Sequence, residues 1–200
     1  MAQTEQKNQN VKKQFEELQS LLERAMALQT SMVLFEWDDE TLAPKGAAEH
    51  TARVIGSLSE QYQEILASMR FKELLDACQK AEKENAGVFD EVQSAILREA
   101  AEEQERLSCI PPEEYRAYQE LTSKSTRIWT KARKENDFAS FAPVLKEIID
   151  YQKKFASYRQ KEGQKLYDVM LDSFEPGFTM EKLDEFFDML KEHIVPLLKQ

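Results

Sequence analysis

Residues 34–50, LFEWDDETLAPKGAAEH, carry an apolar run into Trp37, then three acids, then Pro44, Gly46 and a Glu49–His50 pair. Two readings compete: an acidic metal or catalytic site, and the corner between two helices. A hard cation would accept Asp38, Asp39 and Glu40, but successive residues on a helix point about 100° apart and do not converge on one ion. Alternating ligands around a central glycine, as in a calcium loop, are absent. A zinc site needs three or four protein ligands, usually with His or Cys among them, and the chain holds two histidines, His50 and His193, far apart. The corner reading is the better supported. Asp38 or Asp39 can accept backbone N–H groups of the following turn, Thr41 is a second local hydrogen-bonding side chain, and Trp37 anchors the helix end. We expect Asp38 to be buried and bonded to N–H groups near Thr41.

Upstream of the corner, Val11, Phe15, Leu18, Leu22 and Ala25, then Met32 and Val33, recur by threes and fours and predict one long helix to about Trp37. Residues 1–9 are polar and are expected to form a disordered lead-in. Downstream, Ala48, Ala52, Ile55, Leu58, Tyr62, Ile65 and Met69 mark a second helix, and Phe71–Glu84 a third. The third is expected to stop with Gly87 in the left-handed position. Further stripes run from Phe89 to Leu107, from Tyr115 to Ala132 and from Leu145 to Tyr158. Pro112 suits a first helical position, and Asp137 an N-cap. Pro143 is tolerable if its helix begins near Ser140. Residues 162–179, EGQKLYDVMLDSFEPGFT, are expected as a loop into a last helix from Thr179, which Pro196 kinks or ends. No segment carries strand periodicity.

The 200 residues include only 5 Gly and 6 Pro, with 32% charged and 42% hydrophobic side chains. Few breakers among many Glu, Lys, Gln, Leu and Ala favour an all-α fold of about seven helices, several long and antiparallel, joined by short loops. The net charge of −10 opposes nucleic acid or an anionic membrane as a partner. Cys78 and Cys109 lack CxxC spacing and read as reduced thiols. No secretory core and no membrane-length apolar run is visible, so the sequence predicts a soluble, cytoplasmic protein.

No nucleophile elbow, phosphate-binding loop or dinucleotide glycine pattern occurs. The segment TRIWTKARK, with Arg127, Lys131, Arg133 and Lys134 around Trp129, reads as a solvated helix face before an anion site. His193 reads as a boundary histidine. On their own residues, then, the helices carry no catalytic, cofactor or metal site.

Three segments in order carry a resemblance: the corner continued to Ser59, the run IPPEEY…IWTKARKENDFASFAPVL, and YDVMLDSFEPGFT with the helix after it. Together they resemble the carboxypeptidase Taq family of zinc metallocarboxypeptidases. The residues that carry it are Trp37, Asp38, Thr41, Pro44, Trp129, Asp137, Tyr167, Asp168, Glu175, Pro176 and Gly177. One departure is Thr51, where the family often has Arg; Arg53 lies two places on. The resemblance implies an almost wholly helical enzyme with one zinc in a deep cleft, releasing C-terminal amino acids from peptides. Two His of an HExxH helix and a later Glu bind the metal, and the Glu of HExxH acts as general base. None of these motifs occurs in this sequence. The resemblance therefore implies the N-terminal part of such an enzyme over residues 10–200, a lid and cleft wall without the catalytic region. Zinc and the peptide substrate would belong to the full-length enzyme. The alternative is a free-standing helical interaction module. The oligomeric state is left open, a homodimer included.

Overall fold

The structure, a computed structural model, describes residues 2–199. It is all-helical: α1 Ala2–Thr41, α2 Ala48–Ala67, α3 Met69–Glu84, α4 Glu91–Ser108, α5 Pro112–Glu135, α6 Phe138–Arg159, α7 Leu166–Asp172 and α8 Met180–Leu198. A single 3-10 turn, Lys45–Ala47, precedes α2. Among the described residues there is no strand, as the lack of period-two patterning predicts.

Several boundaries follow from local chemistry. Ser68 caps α3 by accepting from the Phe71 N–H. Asp90 and Gln93 close a capping box on α4, each side chain satisfying the other's backbone N–H. Pro112 begins α5, and Thr179 caps α8. Asp137 accepts from the Ser140 N–H at the start of α6. That helix starts at Phe138, so Pro143 lies inside it, forgoing one backbone bond rather than preceding the regular turns. Gly87 is not left-handed: Asn85, in extended backbone, ends α3. The left-handed residue at a helix end is Asn136, φ 52°, after α5. Helix α1 reaches back to Ala2, through the residues expected as a disordered lead-in; Gln, Lys and Glu propagate a helix well. The expected loop over 162–179 contains α7, too short to show a full apolar period.

The chain divides into two compact units, Met1–Ile148 and Ile149–Gln200. In the first, α2 packs against α1, α3, α4 and α5. One end of the unit is a core of Phe15 and Leu18 from α1, Phe71, Leu74 and Cys78 from α3, and Leu97 from α4. The Phe15 and Phe89 rings lie 5.1 Å apart there. Arg70 donates to both carboxylate oxygens of Glu17, at 2.8 and 2.5 Å, joining α3 to α1. Between α2 and α5 the tight contact falls at Gly56, which offers no side chain. A Cβ on Gly56 would stand 2.5 Å from Cγ of Glu120. Glu120 is held there by Arg116 at 3.2 Å, and Arg116 also reaches Glu60 at 3.0 Å. The pairs 56–120 and 60–116 step in opposite directions, so the two helices are antiparallel. Gln63, fully buried, donates from its amide to the carbonyls of Leu107 and Ile110, at 3.1 and 2.5 Å, and so fixes the end of α4 against α2.

In the second unit, Phe155 and Ala156 of α6 and Val169 of α7 are buried. Helix α8 has no buried residue.

Two outcomes are expected. Gly56→Val should destabilise the fold by about 2–3 kcal/mol, since the added branch meets Glu120 beside its Cβ; adding Glu120→Ala should recover a good part of this, read as a double-mutant cycle in urea. Burial pushes the Cys78 thiol up to about 11 from its ordinary 9.0. The folded chain keeps that proton where the unfolded chain has released it. Stability should therefore fall by on the order of 1–2 kcal/mol as pH rises from about 9 to 11, and not below that window. The difference between wild type and Cys78→Ala at pH 8 and at pH 11 isolates the effect.

Candidate functional site

The corner at the end of α1 is built mainly by backbone. The Leu42 and Ala43 N–H groups both donate to the Asp38 carbonyl, at 2.9 and 2.8 Å. Thr41 donates its hydroxyl to the Trp37 carbonyl at 2.6 Å, closing the last turn. Pro44, at φ −65° and ψ 145°, starts the 3-10 turn that leads into α2, and the Ala47 N–H returns to its carbonyl at 2.8 Å. The corner thus exists as expected, but its key carboxylate differs. Asp38 serves through its carbonyl and is only half-buried, whereas the Asp39 side chain, 10% exposed, is held by Arg127 of α5. Nε of Arg127 lies 2.9 Å from Oδ2 of Asp39, and Nη2 donates to Oδ1. Two parallel bonds between planar groups fix direction as well as distance. The expectation for Asp38 is corrected on that ground: a carboxylate one position on points to the neighbouring helix.

Trp37 is exposed at 58%, so it does not anchor the corner within these residues. Trp129, on α5, is also exposed, with the Arg133 guanidinium 5.3 Å from its ring centroid. The segment around Trp129 is therefore divided: Arg127 ties α5 to α1, and Arg133 covers an aromatic face. Glu36 and Glu40, one turn apart on α1, face each other as like charges; loss of water around Glu36, then the Glu40 charge, raises the Glu36 pKa.

The second group of resemblance residues builds a turn. The Asp168 carboxylate accepts from the Met180 N–H at 2.8 Å, joining the start of α7 to the start of α8. Asp172 accepts from the Gly177 N–H at 2.8 Å, and Lys182 donates to the Gly177 carbonyl at 2.7 Å. Gly177 has φ +80°, a conformation that favours glycine. The Phe178 N–H donates to the Glu175 carbonyl at 3.0 Å across Pro176. Tyr167 is exposed.

Neither group supplies a metal centre. Glu49 pairs loosely with Arg53 at 3.9 Å, His50 is exposed, and Nδ1 of His193 lies 2.8 Å from its own helix's Met189 carbonyl. Among the described residues, no three His, Cys, Asp or Glu side chains come together in a way that would hold an ion. Neither Cys78 nor Cys109 forms a disulfide. Among the described residues, no helix is long and apolar enough to cross a membrane. The sequence reading missed the Asp39–Arg127 pair and the Glu60–Arg116–Glu120 chain. The Asp39–Arg127 and Glu60–Arg116 partners lie 88 and 56 residues apart, beyond any local spacing rule, whereas the i,i+4 spacing of Arg116 and Glu120 was a signal available in the sequence.

Comparison with known proteins is consistent in sequence and in fold. Residues 17–200 match the sequence model of the carboxypeptidase Taq (M32) metallopeptidases. The chain is 37% identical to carboxypeptidase 1 of Bacillus subtilis over 180 residues, 90% of this chain and 35% of that protein. The crystal structure of BsuCP superposes with a TM-score of 0.85 at 36% identity, over 94% of this chain and 37% of that one. Metallocarboxypeptidase 1 of Trypanosoma cruzi gives 0.73 at 26% identity, over 94% and 37%. The chain thus spans about a third of the length of the relatives it matches.

Removing the Asp39 carboxylate takes from Arg127 both of the bonds described above. Asp39→Ala should cost about 2–3 kcal/mol, while Asp38→Ala should change stability by less than about 0.5 kcal/mol, because its carbonyl remains. Chemical denaturation of the two variants side by side checks the order.

Proposed function

Since the chain belongs to the carboxypeptidase Taq (M32) metallopeptidase family, we propose that it is the N-terminal, cleft-wall region of a zinc-dependent metallocarboxypeptidase. The observation that carries this is the match over residues 17–200, set beside a length only about a third of the relatives. The full enzyme would release C-terminal amino acids from peptides. Its zinc, once bound, would polarise the peptide carbonyl and activate water. The residues of this chain do not fit that metal. Four residues after His50 stands Val54, and four before it Gly46; His193 is flanked in the same way by Leu197 and Met189. Neither histidine can belong to an HExxH pair on one helical face.

The role of these residues is positional. A rigid wall of long helices keeps water away from a bound peptide and limits which chain ends enter. The α2–α5 ion-pair chain and the Asp39–Arg127 pair supply that rigidity in the first unit. The Glu175–Pro176–Gly177 turn sets the direction of α8 in the second. The partner is a peptide substrate rather than nucleic acid, given the net charge of −10. A cytoplasmic setting suits two cysteines without a disulfide.

The purified 200-residue chain, incubated with zinc or cobalt and a blocked dipeptide, should release no amino acid above a chelator-treated control. The same chain joined to the remaining portion of carboxypeptidase 1 from Bacillus subtilis should do so. Metal-dependent release by the short chain overturns the proposal. A joined protein that folds and binds zinc but cleaves nothing favours the free-standing interaction module instead.

A further inference from the structure

Helix α8 is 19 residues long and none of them is buried. A helix of this length is marginal in water without tertiary packing. Its main helix contact is with α7, seven residues long, beside the Asp168–Met180 bond at its N-terminal end. Yet its sequence is sharply two-sided. Leu183, Phe186, Phe187, Leu190, Ile194 and Leu197 recur by threes and fours and fall on one face. Glu181, Glu185, Asp188 and Glu192 fall on the opposite face. Phe186 and Phe187 are 44% and 49% exposed, and Leu197 is 65% exposed. A helix face of this kind, with two phenylalanines at its centre, is built to be covered.

Resting on the functional reading above, we propose that this face docks the catalytic-region polypeptide of an M32 enzyme, through an apolar surface of that polypeptide. Two observations select that occupant. The family match runs through α8 to residue 200, so the helix belongs to the shared sequence region and not to an appended tail. The matched relatives carry nearly two-thirds of their length outside the matched region, enough polypeptide to cover a helix face about 28 Å long. The acidic side of α8 stays in water and fixes which side is presented.

The test uses the 200-residue chain and the chain joined to the remaining portion of the Bacillus subtilis enzyme, each with and without Phe186→Asp/Phe187→Asp. In the short chain this pair should leave the melting midpoint of the first unit unchanged and lower binding of a hydrophobic dye by about half. Amide exchange over residues 183–198 should be fast in the short chain and slow by at least about 100-fold in the joined protein, with the aspartate pair abolishing the gain. The milder Leu183→Ala/Ile194→Ala should reduce it in the same direction. Slow exchange of α8 in the short chain at all concentrations overturns the proposal, because the face is then already satisfied. Protection that appears only with a concentration-dependent dimer in sedimentation, and vanishes in the aspartate pair, overturns it in favour of a second copy. A joined protein that binds zinc and cleaves peptides while α8 still exchanges fast overturns the docking face and leaves the functional reading standing. Protection of α8 without zinc binding or cleavage supports the docking face and removes the functional reading.

Discussion

The close approach of α2 and α5 is the constraint on which the first unit depends. The Glu120 side chain can lie against α2 only where that helix offers almost no side chain, and α2 does so at Gly56. The Glu120 side chain lies over Gly56 and is bound on its far side by Arg116. Because Arg116 also bonds Glu60, the register is set twice: once by van der Waals contact and once by charge. With α5 fixed against α2, Arg127 is placed to receive Asp39 at the end of α1. The corner is therefore partly a consequence of packing two helices away, not only of its own sequence.

This explains what was legible in the sequence. Period-three-four stripes give the long helices because burial of one face is what makes each of them stable. Pro112, Asp137 and Thr179 give helix starts because their chemistry acts within one turn. Misreadings fall where the decisive partner is remote or the element is short. Asp38 and Asp39 are alike locally, and only Arg127 separates them. Gly87 is not left-handed because Asn85 in extended backbone had already ended α3, and at the end of α5 it is Asn136 whose amide side chain tolerates the left-handed backbone. Helix α7 spans two turns and carries no full apolar period.

The candidate site was legible in a different sense. The residues that carry the family resemblance turn out to hold corners, caps and turns: Thr41 and Pro44 at one bend, Asp168 and Gly177 at another. Such positions have few chemical solutions. Their chemistry reveals the scaffold and says nothing of reaction. The aromatics Trp37, Trp129 and Tyr167 are the exceptions, since each stays exposed.

Gln63 carries a last consequence, for chemical ageing. Its amide is the donor for two carbonyls at the end of α4 and beyond it, with no exposure to solvent. Hydrolysis to glutamate would replace both N–H groups with carboxylate oxygen, setting like-signed dipoles against each other in a dry interior. The same burial keeps water from the amide, so the joint is shielded from the reaction that would break it. Only after α4 has parted from α2 can water reach that amide.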